Sequence, residues 1–203
     1  MNNLKKMMII ALSALLCASM VACGNANDAE STTTAPANDV TTSATETTTE
    51  APAEDKAAIV TPDVDANTPG GKMWDAFLAA KQENPEMGAE EMANKMLASG
   101  VIPQEIMMGA MALEANQEFF SGFGNYKITG YESGAIFMPM IGTTPIMGYI
   151  FELPEGADVD AFIKNLSENA DLRWNVCTSA DQMTVGAYET TVFFLMCPNS
   201  FAA

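Results

Sequence analysis

There is no histidine in this 203-residue sequence. The chain therefore lacks the side chain best suited to proton transfer near neutral pH, which is also the commonest metal ligand. No imidazole-based triad, dyad or zinc site can be built from it. Basic residues are scarce: nine Lys and Arg stand against 26 Asp and Glu, for a net charge of −17, and Arg173 is the sole arginine. With no basic patch to displace counterions from phosphates, nucleic-acid binding is excluded. Cysteine is sparse as well, at four residues, and no C-x-x-C spacing occurs, which argues against a dithiol redox enzyme. Long apolar runs are also missing. The N-terminal run, residues 7–22, has sixteen residues broken by Ser13 and Ser19, short of the ~20 needed to span a bilayer.

That run is informative in another way. Lys5 and Lys6 precede it, and small residues lead through Ala18 and Ser19 to Ala22 and Cys23. A positive start, a short apolar core and a small-residue cleavage zone are the anatomy of a secretory signal. The stretch Met20-Val21-Ala22-Cys23 resembles the lipobox of bacterial lipoproteins, with methionine where leucine is usual. The resemblance implies removal of residues 1–22 and acylation of Cys23, which makes a lipid-anchored protein on the extracytoplasmic face of the cell membrane. Cleavage to a free secreted protein is the alternative. Loss of Lys5 and Lys6 with the signal leaves seven basic against 26 acidic side chains, or −19. Each buried CH₂ contributes about 0.8 kcal/mol to membrane binding, so stable anchoring takes more than one acyl chain.

Residues 23–68 read as a spacer of Thr, Ala, Ser, Asn, Pro and acidic residues. Without a hydrophobic period it buries too little surface to offset its ordering entropy, so disorder is expected. Seven carboxylates, from Asp28 to Asp55, repel one another and favour extension. At its end, Asp63-Val64-Asp65-Ala66-Asn67 opens like a calcium loop, but Thr68 replaces the turn glycine and Trp74 the closing glutamate. A turn-rich linker is the better reading, and no cofactor or metal site is expected.

Residues 69–203 read as a single α+β domain. Met73, Trp74, Phe77 and Leu78 form one face of a first helix ended by Asn84-Pro85. A second helix runs from about Ala89 to Ala98, with Gly100 beyond its end. A third is expected after Pro103, on the spacing of Ile106, Met107, Ala110, Met111 and Leu113. Past Gly122-Phe123-Gly124 the pattern turns to strands at 126–129, 135–141 and 146–153. Asp158 or Asp160 opens a helix that crosses the sheet and buries Val159, Phe162, Ile163 and Leu166. A C-terminal hairpin, 182–187 with 190–196, closes the fold, so N-terminal helices precede an antiparallel sheet with one crossing helix.

By Ile141-Gly142-Thr143-Thr144-Pro145-Ile146-Met147-Gly148-Tyr149-Ile150-Phe151-Glu152 and Leu172-Arg173-Trp174-Asn175-Val176-Cys177, the chain resembles clostridial-type lipoproteins of uncharacterised function. The likeness covers residues 70–203. It implies an envelope location and an α+β module, and carries no catalytic residue to this chain.

Met138-Pro139-Met140 places two thioethers on one strand face. Soft sulfur favours Cu(I), yet methionine as adaptable core filler accounts better for pairs such as Met92/Met96 and Met107/Met111. Arg173 is read first as a helix-end cation and second as an anion site. Glu90/Glu91 and Asp158/Asp160 read as helix-start acids before glycosidase carboxylates. Cys177 and Cys197 flank the terminal hairpin; with the turn centred near Ala187 they sit almost opposite, which suggests a disulfide in an exported protein.

Two function classes follow: a non-catalytic binding or interaction module, and a carboxylate-based envelope hydrolase. The first is preferred, and no catalytic residue is assigned. Its feature is the apolar stretch Phe137–Phe151, whose exposed part would offer Met138, Met140, Ile141 and Tyr149, with Arg173, to an envelope protein, a glycan or a small ligand. A sheet covered on both faces is the competing explanation of that stretch.

Overall fold

The computed structural model describes residues 58–114, 117 and 119–201, all within the compact unit Glu50–Ala203. The expected signal segment, residues 1–22, Cys23 and most of the expected spacer lie outside the described residues. The fold is α+β, in the order β1 (Ile59–Val60), α1 (Pro69–Glu83), α2 (Ala89–Leu97), β2 (Met108–Ala112), β3 (Ser133–Pro139), β4 (Met147–Glu152), α3 (Val159–Asn169), β5 (Gln182–Tyr188) and β6 (Thr191–Cys197). The six strands make one antiparallel sheet, β1-β5-β6-β4-β3-β2, with the β5–β6 hairpin at the C-terminal end of the chain.

The helices start where their caps dictate. Thr68 Oγ1 accepts the Gly71 N–H, and Pro69 takes the first turn, where a missing N–H costs nothing. Glu90 and Glu91 occupy the first turn of α2, next to the partial positive charge of its N-terminus. Asp158 Oδ1 accepts the Ala161 N–H at 2.9 Å to open α3.

Side chains alternate across the sheet, so each central strand feeds two cores. On one face Ala135, Phe137, Ile150, Phe193 and Leu195 meet Met73, Trp74, Phe77, Met92 and Met96 of α1 and α2. On the other, Met147, Tyr149, Phe151, Val192, Phe194 and Met196 meet Phe162 and Leu166 of α3 together with Phe120, Phe123 and Ile128. Both faces being covered, β4 and β6 are apolar almost throughout, as strands buried on two sides must be. Each fully buried Phe or Met contributes about 1.5–3 kcal/mol relative to exposure.

Three expectations are corrected. The helix expected after Pro103 is a loop and then β2, because Met108–Ala112 pairs in register with Ala135–Pro139. The strand expected at 126–129 is irregular backbone, which covers the second face through buried Ile128. The spacer expected to run through Thr68 already contains β1: Ile59 and Val60 pair with Tyr188 and Ala187, so the folded domain begins ahead of residue 69.

Candidate binding site

The part of the second face that stays open lies at the β2 end of the sheet. Helix α3 sits over β5 and β6 and does not reach β2 or β3. β2 itself is an edge strand, paired on one side only. The Met140 N–H donates to the Met107 carbonyl at 2.8 Å, and the Leu113 N–H to the Gly134 carbonyl at 2.9 Å. Odd-numbered residues of this stretch therefore face β3. The backbone groups of Met108, Ala110 and Ala112 point away from the sheet. The strand sequence Met-Gly-Ala-Met-Ala holds none of the charges that commonly blunt such edges.

Register decides which side chains share this corner. Gly109 stands opposite Met138 and Met111 opposite Ile136; one step further, Met107 stands opposite Met140. All lie on the face that carries the second core, against which Ile136 and Met138 pack. Met107, Met111, Met140 and Ile141 are exposed, at 58, 47, 60 and 71%. Gly109 makes room within the group: a Cβ there would lie 2.5 Å from Met140 Sδ, so the thioether folds back over the glycine. Behind it, one register row crosses the sheet from Met138 through Met147 and Met196 to Met183. Met147 is the β4 position that continues the Phe137–Gly148 pairing by one residue.

Beside this corner runs a groove of about 900 Å³, lined by Glu105, Ile106, Pro145, Thr178, Pro198 and Phe201. Its wall is tied together at the Thr143 carbonyl. That oxygen accepts from Thr178 Oγ1 at 2.6 Å and from Asn175 Nδ2 at 3.4 Å.

Of the residues singled out from the sequence, the structure brings Met138 and Met140 to one face, and Ile141, the next residue along the chain, is exposed beyond the end of β3. Tyr149 is not with them. It is fully buried in the second core, its hydroxyl donates to the Ser121 carbonyl at 2.9 Å, and burial drives its pKa strongly upward. Arg173 is exposed on the α3–β5 connection, where it borders a shallow depression with Val176 and Cys177. The expected Cys177–Cys197 disulfide is corrected too: both are free thiols, Cys177 exposed and Cys197 buried. The hairpin turns at Glu189-Thr190 rather than near Ala187, which sets Gln182, not Cys177, across from Cys197. Burial, with Asp181 adding to it, pushes the Cys197 thiol up to about 12.

The calcium-like stretch is a turn that leads into α1. The Asn67 N–H and Nδ2 both donate to Asp65 Oδ1, at 2.9 and 3.0 Å, and these bonds hold the Asp65 carboxyl below its usual range. Among the described residues, no three His, Cys, Asp or Glu side chains gather as a metal-binding group. Lys81 is buried in α1, where its Nζ donates to the Pro85 carbonyl at 2.8 Å; desolvation lowers its pKa while Glu152, Glu189 and Glu86 oppose the shift.

The residues missed by sequence reasoning are Met107, Gly109 and Met111. Their period of two was the available signal, and the equally good helical spacing of Met107 and Met111 masked it. Comparison with protein-family models, with curated proteins and with solved structures finds no match.

Proposed function

We propose that the protein is a lipid-anchored, extracytoplasmic binding module without catalytic activity of its own, which presents the β2 corner of its sheet to an envelope ligand or partner. The observation that carries this reading is the exposed, same-face group of Met107, Met111 and Met140, with exposed Ile141 next to Met140 in the chain, on an uncharged edge strand and its β3 partner. Exposed apolar groups that gather in one place mark interaction sites more often than scattered ones do. An edge strand with outward backbone groups adds main-chain donors and acceptors to the same surface. The Cys23 lipobox and the acidic, threonine-rich stretch after it suit a domain held away from the membrane. No described helix is long and apolar enough to cross a bilayer.

Two measurements test the two halves of the proposal. Cys23→Ala should release the protein to the medium or leave it unprocessed; retention in the membrane at mature size would defeat the anchor. In intact cells, crosslinked partners should be lost on Ile141→Asp, with circular dichroism unchanged. An unaltered partner set from a folded Ile141→Asp protein would remove the β2 corner as the binding surface.

A further inference from the structure

We infer that the β2 corner binds a soft monovalent metal ion, Cu(I), through the thioether sulfurs of Met107, Met138 and Met140. This rests on the reading of that corner as the binding surface and names its ligand class. Met73, Met92, Met96, Met147 and Met196 are fully or nearly fully buried and fill the two cores. Core filling cannot explain Met107 and Met140, which are each more than half exposed.

Backbone register then places the three together. Met107 and Met140 are a directly hydrogen-bonded cross-strand pair, a relation that sets Cβ atoms about 5 Å apart. Met138 is two residues from Met140 on the same strand face and stands opposite Gly109. Because Gly109 has no side chain, Met140 folds across β2 over that glycine, which itself stands opposite Met138. A β-branched or larger residue at 109 would fill the space Met140 occupies. Met138 is half-buried against the second core and supplies an apolar floor.

The chemistry follows from the donor set. Thioethers are neutral, soft and polarisable, so they select Cu(I) over hard cations such as Ca²⁺ or Mg²⁺, which need oxygen ligands. Binding requires no deprotonation and no electron transfer: Cu(I) enters and leaves as Cu(I). The surplus of negative charge on the chain favours approach of a cation.

The test uses the full-length protein purified in detergent, with Cys177→Ser and Cys197→Ala in the background so that no thiolate from the domain competes. Cu(I) is supplied anaerobically and partitioned against a chromophoric Cu(I) chelator. The expected result is saturable binding of about one Cu(I) per chain. Its affinity should stay constant between about pH 5 and 8, the range where an imidazole or perturbed thiolate would titrate. Losing an outer-shell partner of a metal site commonly costs 10–100-fold in affinity, so Met107→Leu or Met140→Leu, each losing a ligand, should weaken binding by about tenfold or more. Gly109→Val, which keeps every sulfur but takes the space Met140 occupies, should weaken it as well. Met183→Leu, at the far end of the methionine row, should not.

No saturable binding in the Cys177→Ser/Cys197→Ala background would overturn the inference, as would full affinity in a Met107→Leu/Met140→Leu double variant. Both substituted residues are exposed, so these variants should fold. Failure of the metal assay with Ile141-dependent crosslinks intact would remove Cu(I) and leave the binding surface standing. The opposite pattern would retain the metal site and remove the macromolecular partner.

Discussion

The ring of Phe137 on β3 lies directly over the α-carbon of Gly148, its cross-strand partner on β4, in the place a side chain would occupy. This lets Phe137 stack on Phe193, with centroids 6.4 Å apart and planes 20° from parallel. Phe193 in turn stacks on Phe77 of α1 at 5.4 Å. The missing side chain at 148 therefore permits a column of three rings that joins the sheet to its first helix.

Gly148→Ala should accordingly lower stability by about 1–3 kcal/mol, the usual cost of overpacking a core that cannot yield. Chemical denaturation, with the midpoint falling at constant slope, is the measurement. Gly109→Ala is the internal comparison: its obstacle is a flexible, exposed methionine, so its stability should change little. Equal losses in the two variants would mean that Phe137 is free to move aside.

Thr68→Ala should cost about 0.5–2 kcal/mol, since it removes the cap of α1. The same hydroxyl lies 3.0 Å from Gln182 Oε1 of β5, so the substitution also loosens the helix start from the sheet. Amide exchange should rise first at Gly70 and Gly71. An unchanged thermal midpoint would argue against the capping role.

Tyr149→Phe should destabilise by about 0.5–1.5 kcal/mol, because the Ser121 carbonyl loses its donor. Crosslinked partners and Cu(I) affinity should not change, as Tyr149 is buried away from the open corner. A Tyr149→Phe protein of normal stability that loses its partner would return this residue to the binding surface.

The two thiols should differ sharply in reactivity. Under native conditions an alkylating reagent should modify Cys177 rapidly, and Cys197 only after unfolding. Titration gives a second signature. The folded-state pKa of Cys197 lies above its unfolded value of 9.0, so its contribution to stability is complete below about 9. It is lost as pH rises toward about 12, because only the unfolded chain ionises freely in that window. Tyr149, also raised by burial, steepens the decline at the upper end. Cys197→Ala should flatten the fall in denaturation midpoint over this range, and an unchanged slope would contradict the burial of the thiol.

The sequence by itself determined the elements whose local signals agree with their surroundings. α1, α2 and α3 carry both a cap or first-turn signature and an apolar face; α2 and α3 formed within a residue or two of their expected bounds, and α1 ends before Asn84-Pro85 as expected but begins at Pro69, three residues ahead of the expected start at Lys72. β4 and β6 were legible as strands because burial on both faces leaves them nearly continuous apolar runs. At the candidate site, Met138 and Met140 were legible for a simpler reason: a period of two already places both thioethers on one face, although β3 itself ends at Pro139 and Met140 only continues its pairing with Met107.

Only the tertiary structure decided the rest. Ile106, Met107, Ala110 and Met111 fit a helical period as well as they fit an extended strand. The pairing of Met108–Ala112 with β3, which satisfies backbone groups that β3 would otherwise leave open, settles the matter. Ile59 and Val60 form a strand only because β5 offers them an edge. Tyr149 and Cys177 moved out of their expected roles for the same kind of reason. One is covered by Phe120 and Phe123 from a distant loop, and the other is left aside by a hairpin that turns two residues later than expected. Pairing register and face coverage are relations between segments far apart in the chain. No local pattern encodes them, and they set which methionines of this protein are core and which stand at the surface.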